Sequence, residues 1–232
     1  TTNRTGGKTT YFGRLCINRF LDKGEKFALL FDELIAFNTI TNLTAITECE
    51  EGALPHFADS LTAADKIPVG ATVIDVGCGG GFPTLPLAIA RPDLAITALD
   101  STAKKLVFVE NMAKKLSLHV KTLAARAEEI PEYRESFDVA TSRAVARMNL
   151  LTELCLPLVK VGGLFVAMKG ASGREELAEA ENGIVKLGGK VTGVDAFTLL
   201  SAGDRVIITL QKTSPTPIAY PRSWGKIKKK PL

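Results

Sequence analysis

The residues with the clearest chemical potential in this chain lie in one short run, VIDVGCGGGFP, at positions 73–83. Asp75 interrupts the apolar start of the run, and glycines at Gly77, Gly79 and Gly81 belong to a group of four within five positions. Glycines at this density let a ligand lie directly against the backbone, because no Cβ atom intervenes. The run therefore predicts a binding loop at the end of a strand.

Two common phosphate-binding motifs fit this loop poorly. A P-loop requires G-x-x-x-x-G-K-[ST], but no Lys-Thr or Lys-Ser pair follows Gly81, and the separate string at positions 7–9 has no strand before it. A dinucleotide loop requires a third glycine where helix and strand pack closely, and Phe82 followed by Pro83 occupies that place. The loop therefore indicates a ligand without a phosphate cradle.

The loop does fit the pattern apolar-apolar-Asp-apolar-Gly-x-Gly-x-Gly, and so resembles the first motif of S-adenosylmethionine-dependent methyltransferases. Asp100 ends the next apolar run, where a carboxylate can accept hydrogen bonds from both ribose hydroxyls. Ala127 and Glu128 follow the third run, where a backbone amide can read the adenine edge. We therefore predict S-adenosyl-L-methionine as cofactor. The candidate contacts from this pattern are Asp75, Gly77, Gly79, Gly81, Asp100, Ala127 and Glu128.

The residues after the fourth apolar run bear on the methyl acceptor. The sequence SRAVA at 142–146 replaces the [NDS]-P-P-[YF] motif that is typical of exocyclic amino methylation. Cys155 lies within a helical pattern, so it is a poor candidate for the nucleophile that carbon-5 methylation of pyrimidines requires. A ring nitrogen with a free lone pair, such as guanine N7, needs only positioning and desolvation. The sequence agrees with that chemistry without proving it.

Strands and helices that alternate along the chain must position these residues. Seven apolar runs predict strands, at residues 72–77, 95–100, 119–126, 137–144, 164–170, 190–200 and 205–212. A turn is expected at 161–163, and the last two strands follow one another without room for a helix. This order predicts an α/β fold with a doubly wound, seven-stranded, mostly parallel sheet of the Rossmann-like class.

The N-terminal part has helical rather than strand periodicity. Apolar residues recur near helical spacing from Tyr11 to about Asn38, with a break at 23–25 that predicts two helices. The following NTITNLTAI segment favours a loop, and a short helix is expected over 49–65. We therefore predict three units in the chain, namely a helical cap at 1–68, a methyltransferase domain at 69–213 and a basic tail at 214–232.

Composition excludes several classes of protein. The chain has 232 residues, 46% of them hydrophobic, and no window approaches the roughly 20 continuous apolar residues of a membrane span. Its first residues are polar and unlike a secretion signal, which favours a cytoplasmic protein. The four cysteines are far apart and only two histidines are present, so we expect neither a disulfide framework nor a metal site. We expect a monomer.

Positive charge is concentrated at the C-terminus. The last thirteen residues contain no acid and five basic residues, namely Arg222, Lys226, Lys228, Lys229 and Lys230. The rest of the chain is close to neutral, because the formal net charge is only +4. Two interpretations stay open, a solvated disordered end or a segment that contacts a polyanion such as nucleic acid.

Several further motifs resemble the bacterial small-subunit ribosomal RNA guanine-N7 methyltransferase family, also called glucose-inhibited division protein B. The similarity covers roughly Phe27 to the end of the chain. It is carried by NLTAI at 42–46, HFADSL at 56–61, the glycine loop, LPLAI at 85–89, LDS at 99–101, RAEE at 126–129, SRA at 142–144, AMKG at 167–170 and the tail from Tyr220. Two positions depart from the family, Cys78 and Thr84, where Thr and Gly are frequent; Thr84 can narrow the helix entrance.

The resemblance implies a helical cap on a class I methyltransferase domain that acts on a guanine of 16S ribosomal RNA. It implies cofactor contacts at Gly77, Phe82, Ala127, Glu128 and Arg143. It also implies that Arg143 and Lys169, at the carboxyl ends of strands four and five, hold the target nucleotide or the methionine carboxylate. His56 is expected to fix the cap against the core rather than act as a base. The RNA contacts expected from charge and resemblance are Arg143, Lys169, Arg222, Lys228, Lys229 and Lys230.

Two other functions remain compatible with the sequence. A methyltransferase for a small molecule or a protein would satisfy SRAVA and the glycine loop, although the basic tail argues against it. A non-catalytic RNA-binding relative would keep the fold, although the intact Asp75, Asp100 and glycines argue against that.

Overall fold

A computed structural model describes residues 9–11, 21–41, 50–199 and 203–232. The helices are α1 (Gly24–Thr41), α2 (Glu50–Leu61), α3 (Thr84–Ala90), α4 (Ala103–Lys115), α5 (Met148–Cys155), α6 (Gly173–Lys186) and α7 (Trp224–Lys229). The strands are β1 (Thr9–Tyr11), β2 (Thr72–Val76), β3 (Ala95–Asp100), β4 (Val120–Ala124), β5 (Phe137–Arg143), β6 (Val159–Lys169), β7 (Gly189–Leu199) and β8 (Gly203–Lys212). Short 3₁₀ turns include Ala127–Glu129 and Pro131–Tyr133.

All eight strands form one sheet in the order β1-β7-β8-β6-β5-β2-β3-β4. Neighbouring strands are parallel except for β8, which is antiparallel to both β6 and β7. The predicted doubly wound, mostly parallel sheet is therefore confirmed. The three-residue β1 was not predicted, and it adds to the edge by pairing in parallel with β7.

The central strands are apolar because both of their faces are covered. In β2 every residue after the first is buried, as expected for a parallel strand between two layers of helices. One layer contains α1, α3 and α4, with Leu30, Leu85 and Val109 in its core cluster. The other contains α5 and α6, with Leu151 and Ile184 in its core cluster. This packing fixes the carboxyl ends of β2, β3 and β5 at one edge of the sheet.

Two local predictions differ from the structure. The turn expected at 161–163 lies inside β6, where the pairing with β5 shifts register between Phe137 and Val139. Gly162 has a φ of +91° there, so the chain makes a bulge rather than a break. Helix α1 continues to Thr41, into the segment expected to be a loop. The helix expected before residue 21 and the NLTAI motif lie outside the described residues.

The C-terminal segment is packed against the body, which corrects the interpretation as a disordered end. Arg134 donates from Nη1 to the carbonyl oxygen of Tyr220 over 2.6 Å, and Ile227 in α7 is fully buried. Ion pairing continues this contact, since Arg222 reaches Glu153 in α5. Among the described residues, no helix combines the length and apolar character that crossing a bilayer requires.

Candidate functional site

A cavity of about 510 Å³ opens at the carboxyl edge of the sheet. Strand β2 pairs with β3 on one side and β5 on the other, so the chain crosses over in opposite directions at this point. Ligands of open α/β sheets bind outside the carboxyl ends of the strands at such a switch point. The cavity is lined by the glycine loop, the ends of β3 and β5, the turn after β4, and parts of α2, α5 and α7.

The three glycines of the loop motif have different structural roles. All have positive φ, +75° at Gly77, +54° at Gly79 and +92° at Gly81, which favours glycine. A Cβ on Gly79 would meet no atom within 4 Å, whereas one on Gly77 would overlap the side chain of Val145. A Cβ on Gly81 would lie 2.6 Å from Leu85, inside the core. Gly77 and Gly79 line the cavity, and Gly81 serves helix packing instead.

Asp100 presents its carboxylate at the cavity wall. Its Oδ2 accepts a hydrogen bond from the backbone N of Gly79 over 3.0 Å, and its Oδ1 accepts one from Thr102 N over 2.8 Å. Each carboxylate oxygen keeps a further lone pair for a ligand hydroxyl. This acceptor beside the open backbone at Gly79 fits the ribose and methionine portions of S-adenosyl-L-methionine. The cavity volume is within the usual range of small-molecule sites.

Asp75 does not line the cavity, in contrast to the expectation of a direct cofactor contact. It is buried, and its Oδ2 accepts from the Oγ1 and backbone N of Thr84 over 2.6 and 3.2 Å. Thr141 Oγ1 donates to Oδ1 over 3.3 Å. Burial raises the pKa of Asp75 to about 6. Asp75 therefore ties the end of β2 to the start of α3, and Thr84 is its partner rather than an obstruction.

The turn after β4 forms another side of the cavity. Ala127 and Glu128 line it, as does Arg126. The Nε of Arg126 donates to Glu128 Oε1 over 2.8 Å, which fixes the backbone of the turn. A side chain that the sequence reasoning missed, Trp224 of α7, completes this side. It is the only tryptophan in the chain and stands beside the basic run, which was the available signal.

A charged cluster occupies the opposite rim, and we call it the arginine rim (Arg143, His56, Asp59). Arg143 donates from Nη1 to Asp59 Oδ2 over 3.1 Å and lies 3.2 Å from His56 Nδ1. Its guanidinium is 5.3 Å from the centre of the Phe82 ring. Burial, and then the charge of Arg143, lower the pKa of His56. Arg143 is thus held in place by α2, while both it and His56 line the cavity.

Lys169 is placed differently from the expectation of a ligand contact. It is buried, and its ammonium lies 2.6 Å from Glu176 and donates to the carbonyl oxygen of Ala146 over 2.7 Å. Glu176 in turn accepts from the backbone N of Met148 over 3.1 Å. This network fixes the loop between β5 and α5, whose residue Val145 lines the cavity. Lys169 therefore stabilises the loop that lines the cavity without lining the cavity itself.

The predicted RNA contacts of the tail divide into two groups. Arg222 is paired with the fully buried Glu153, donating from Nε over 2.8 Å and from Nη2 over 2.5 Å. Lys228, Lys229 and Lys230 are exposed. Arg222 therefore anchors the segment, whereas the three lysines present their charge to solvent. Within the described ranges, no group of three or more His, Cys, Asp or Glu residues is arranged to hold a metal ion.

Comparison with sequence families gives one model that spans most of the chain. The GidB family model, described as rRNA small subunit methyltransferase G, matches residues 23–205. The ribosomal RNA small subunit methyltransferase G of Desulfitobacterium hafniense (strain Y51) is 45% identical over 224 residues, which cover 94% of this chain and 93% of that protein. The protein of the same name from Lactobacillus johnsonii is 46% identical, covering 90% and 91%.

Solved structures show the same fold at low identity. Geranyl diphosphate methyltransferase, in complex with GPP and sinefungin, superimposes with a TM-score of 0.55 at 14% identity, covering 67% of this chain and 78% of that one. Precorrin-6y C5,15-methyltransferase from Geobacter metallireducens GS-15 gives a TM-score of 0.51 at 16% identity, covering 73% and 92%. Both likenesses support the mostly parallel α/β sheet as the fold of this chain.

Proposed function

Because the chain belongs to the GidB family, rRNA small subunit methyltransferase G, we propose that it transfers a methyl group from S-adenosyl-L-methionine to N7 of a guanine in 16S ribosomal RNA. The observation that carries the proposal is the cavity at the switch point of the sheet, where an open glycine backbone lies beside the Asp100 carboxylate. An enzyme of this family needs the cofactor at that place, and the arrangement fits it.

We assign the cofactor contacts to the residues at the cavity wall. Asp100 accepts the ribose hydroxyls, and the backbone at Gly77 and Gly79 allows the methionine portion to approach. Ala127 and Glu128 flank the adenine. Asp75 and Gly81 do not line the cavity, so we propose that they shape the glycine loop without touching the cofactor.

Methyl transfer to guanine N7 requires no group of the protein to form or break a bond. When bound, the cofactor supplies an electrophilic methyl group on a sulfonium. Guanine N7 attacks with its lone pair and has no proton to lose, so no general base is needed. The protein's task is to hold the acceptor in line and exclude water. Arg143, fixed by Asp59 and lying beside Phe82, is suited to position the guanine.

The described cysteines disfavour one other acceptor. Carbon-5 methylation of pyrimidines requires a thiolate, but Cys78 and Cys155, the two cysteines within the described residues, are both buried, and burial raises the pKa of each thiol. General-base chemistry at His56 is not needed for N7, and Arg143 lies against its Nδ1. We therefore assign His56 to holding the rim together.

We propose that the exposed Lys228, Lys229 and Lys230 contact the RNA backbone, because clustered lysines gain affinity by releasing counterions. We also propose that the protein acts as a monomer. We place the reaction in the cytoplasm, where small ribosomal subunits are assembled. We also assign 1–68 to a cap that is helical apart from β1, which joins the sheet, 69–213 to the methyltransferase domain and 214–232 to an RNA-contacting segment.

Methyl transfer from tritiated cofactor tests the proposal. The protein is incubated with small-subunit RNA, or with assembled subunits, from cells that lack the modification, and with modified RNA as control. Label should enter only the unmodified substrate, and nucleoside digestion should recover it as 7-methylguanosine. Absence of label from both naked RNA and subunits, or label in another nucleoside, would overturn the assignment.

A further inference from the structure

Trp224 has no role in the cofactor pattern, yet it lies at the cavity. The residue begins α7, is half-buried, and lines the same cavity as Asp100 and the turn after β4. The guanidinium of Arg126 lies 5.7 Å from the centre of the indole. Arg126 is also bonded to Glu128, so the indole, the guanidinium and the carboxylate form a continuous series beside the proposed adenine site.

The indole is held at this place from both sides along the chain. Two residues earlier, Arg222 binds Glu153 through three donors, its backbone N, Nε and Nη2, over 2.9, 2.8 and 2.5 Å. Three residues later, Ile227 is fully buried. Because these anchors fix the chain on both sides of Trp224, the indole can move relative to the cavity wall only by rotation about its own side-chain bonds. A pre-positioned aromatic ring of this kind loses little side-chain entropy when a ligand arrives.

We propose that Trp224 forms the adenine-side wall of the cofactor pocket, so that the C-terminal segment is part of the cofactor site. The inference rests on the proposed function for the identity of the cofactor. Its chemistry follows from the neighbours, because a flat aromatic purine suits a cavity side made of an indole and the backbone of a turn. The segment that carries the exposed lysines therefore also carries a cofactor contact.

Fluorescence gives a direct test, because Trp224 is the only tryptophan in the chain. The intact protein is titrated with S-adenosylhomocysteine, adenosine and free methionine, while calorimetry measures the same affinities independently. S-adenosylhomocysteine and adenosine should change the emission saturably, with the calorimetric dissociation constant, and methionine should not. Calorimetric binding of S-adenosylhomocysteine without any change in emission would overturn the inference and leave the proposed function intact.

Substitutions sharpen the test. Trp224→Ala should weaken binding of S-adenosylhomocysteine by about 5- to 100-fold, as expected for loss of an aromatic contact to a base, whereas Trp224→Phe should stay within about threefold. A variant with Lys228→Gln, Lys229→Gln and Lys230→Gln is the matched control, since it alters the same segment at exposed positions. It should bind S-adenosylhomocysteine with wild-type affinity, whatever its affinity for RNA. If Trp224→Ala binds like the wild type, the indole is only a packing residue.

Two outcomes separate this inference from the function itself. If Trp224→Ala fails to fold, the wild-type titrations and the Phe variant still decide, because they need no truncation. A wild-type protein that binds no S-adenosylhomocysteine by calorimetry contradicts the proposed function, whatever its emission does. A change in emission caused by RNA but not by S-adenosylhomocysteine would assign the indole to the acceptor side and overturn the inference.

Discussion

The two sides of the cavity are maintained by different forces. The glycine loop and Asp100 hold their shape through backbone conformation, with positive φ angles and hydrogen bonds between near neighbours. The arginine rim (Arg143, His56, Asp59) holds its shape through charged side chains from α2 and β5. On the first side, an added Cβ at Gly77 would collide with Val145, whereas the second side depends on the charge and length of its side chains. This difference suits a fixed cofactor on one side and an exchangeable RNA nucleotide on the other.

We call the side of the cavity that is formed by the glycine loop and Asp100 the backbone side. The largest expected effect comes from disrupting this side with Gly77→Ala. The new Cβ would overlap Val145 and require an alanine at φ +75°. Strain in the left-handed region costs roughly 1–2 kcal/mol and overpacking roughly 1–3 kcal/mol, so we expect cofactor affinity by calorimetry to fall by at least about 30-fold. The matched control is Gly70→Ala, which has φ +71° but no atom within 4 Å of the new Cβ. Equal losses in the two variants would contradict the explanation by collision.

The next effect comes from the rim, through Arg143→Lys. Lysine keeps the charge but cannot reproduce the planar guanidinium between Asp59 and the Phe82 ring. We expect kcat to fall by about 20-fold through lost positioning, with cofactor affinity within about twofold. Arg205→Lys is the control, because Arg205 also pairs with Asp59, over 3.3 Å, without lining the cavity. A loss of cofactor affinity in Arg143→Lys would place Arg143 on the cofactor side instead.

Asp100→Asn tests the one side chain on the backbone side that is expected to touch the cofactor directly. The amide keeps one acceptor oxygen for Gly79 N or Thr102 N but loses the charge and the second acceptor. We expect cofactor affinity to fall by about tenfold, or about 1.4 kcal/mol, with kcat at saturating cofactor nearly unchanged. Asp93→Asn, at a residue outside the cavity, should bind as the wild type does. Unchanged calorimetric affinity in Asp100→Asn would remove Asp100 from the site.

The backbone side could be predicted from sequence because its determinants are local. The glycines, Asp100 and the turn at Ala127 each follow an apolar run, and parallel strands bring such ends to one edge. Burial of Asp75 was missed, because the pattern does not distinguish a residue that shapes the loop from one that touches the ligand. A strand-end aspartate next to a helix start can do either.

The rest of the site depends on contacts between distant parts of the chain. Lys169 ends β6 at the expected edge, but the direction of its side chain is set by Glu176 in α6. Trp224 lies at the cavity because the ion pair between Arg222 and the buried Glu153 of α5 holds the C-terminal segment there. Neither pairing has a sequence period or a motif. The strand order determines where each strand ends in the sheet. The ion pairs of the long charged side chains depend instead on which residues the tertiary fold brings close to them.

The smallest effect on binding is expected behind the backbone side, at Asp75. Asn is nearly isosteric and can still accept from Thr84 and donate to Thr141, so Asp75→Asn should change cofactor affinity by less than about threefold. Its effect should instead appear in the pH dependence of stability. The pKa of Asp75 in the folded protein, about 6, lies above the ordinary aspartate value of 3.8, so the folded state holds this proton more tightly than the unfolded one.

The sign of that dependence follows from linkage. The stabilisation from protonated Asp75 is complete below the unfolded pKa and is lost as pH rises through about 6. Relative to wild type, Asp75→Asn should therefore gain free energy of unfolding, roughly 2–3 kcal/mol, between pH 4 and pH 7 in urea titrations. Asp93→Asn should show a nearly constant difference from wild type over this range, because its hydrogen bond with Arg91 lowers the pKa of Asp93 and places the pH dependence of that residue below about pH 4. A pH-independent difference for Asp75→Asn would mean that the carboxylate is charged throughout this range, and that Thr84 and Thr141 compensate fully for its burial.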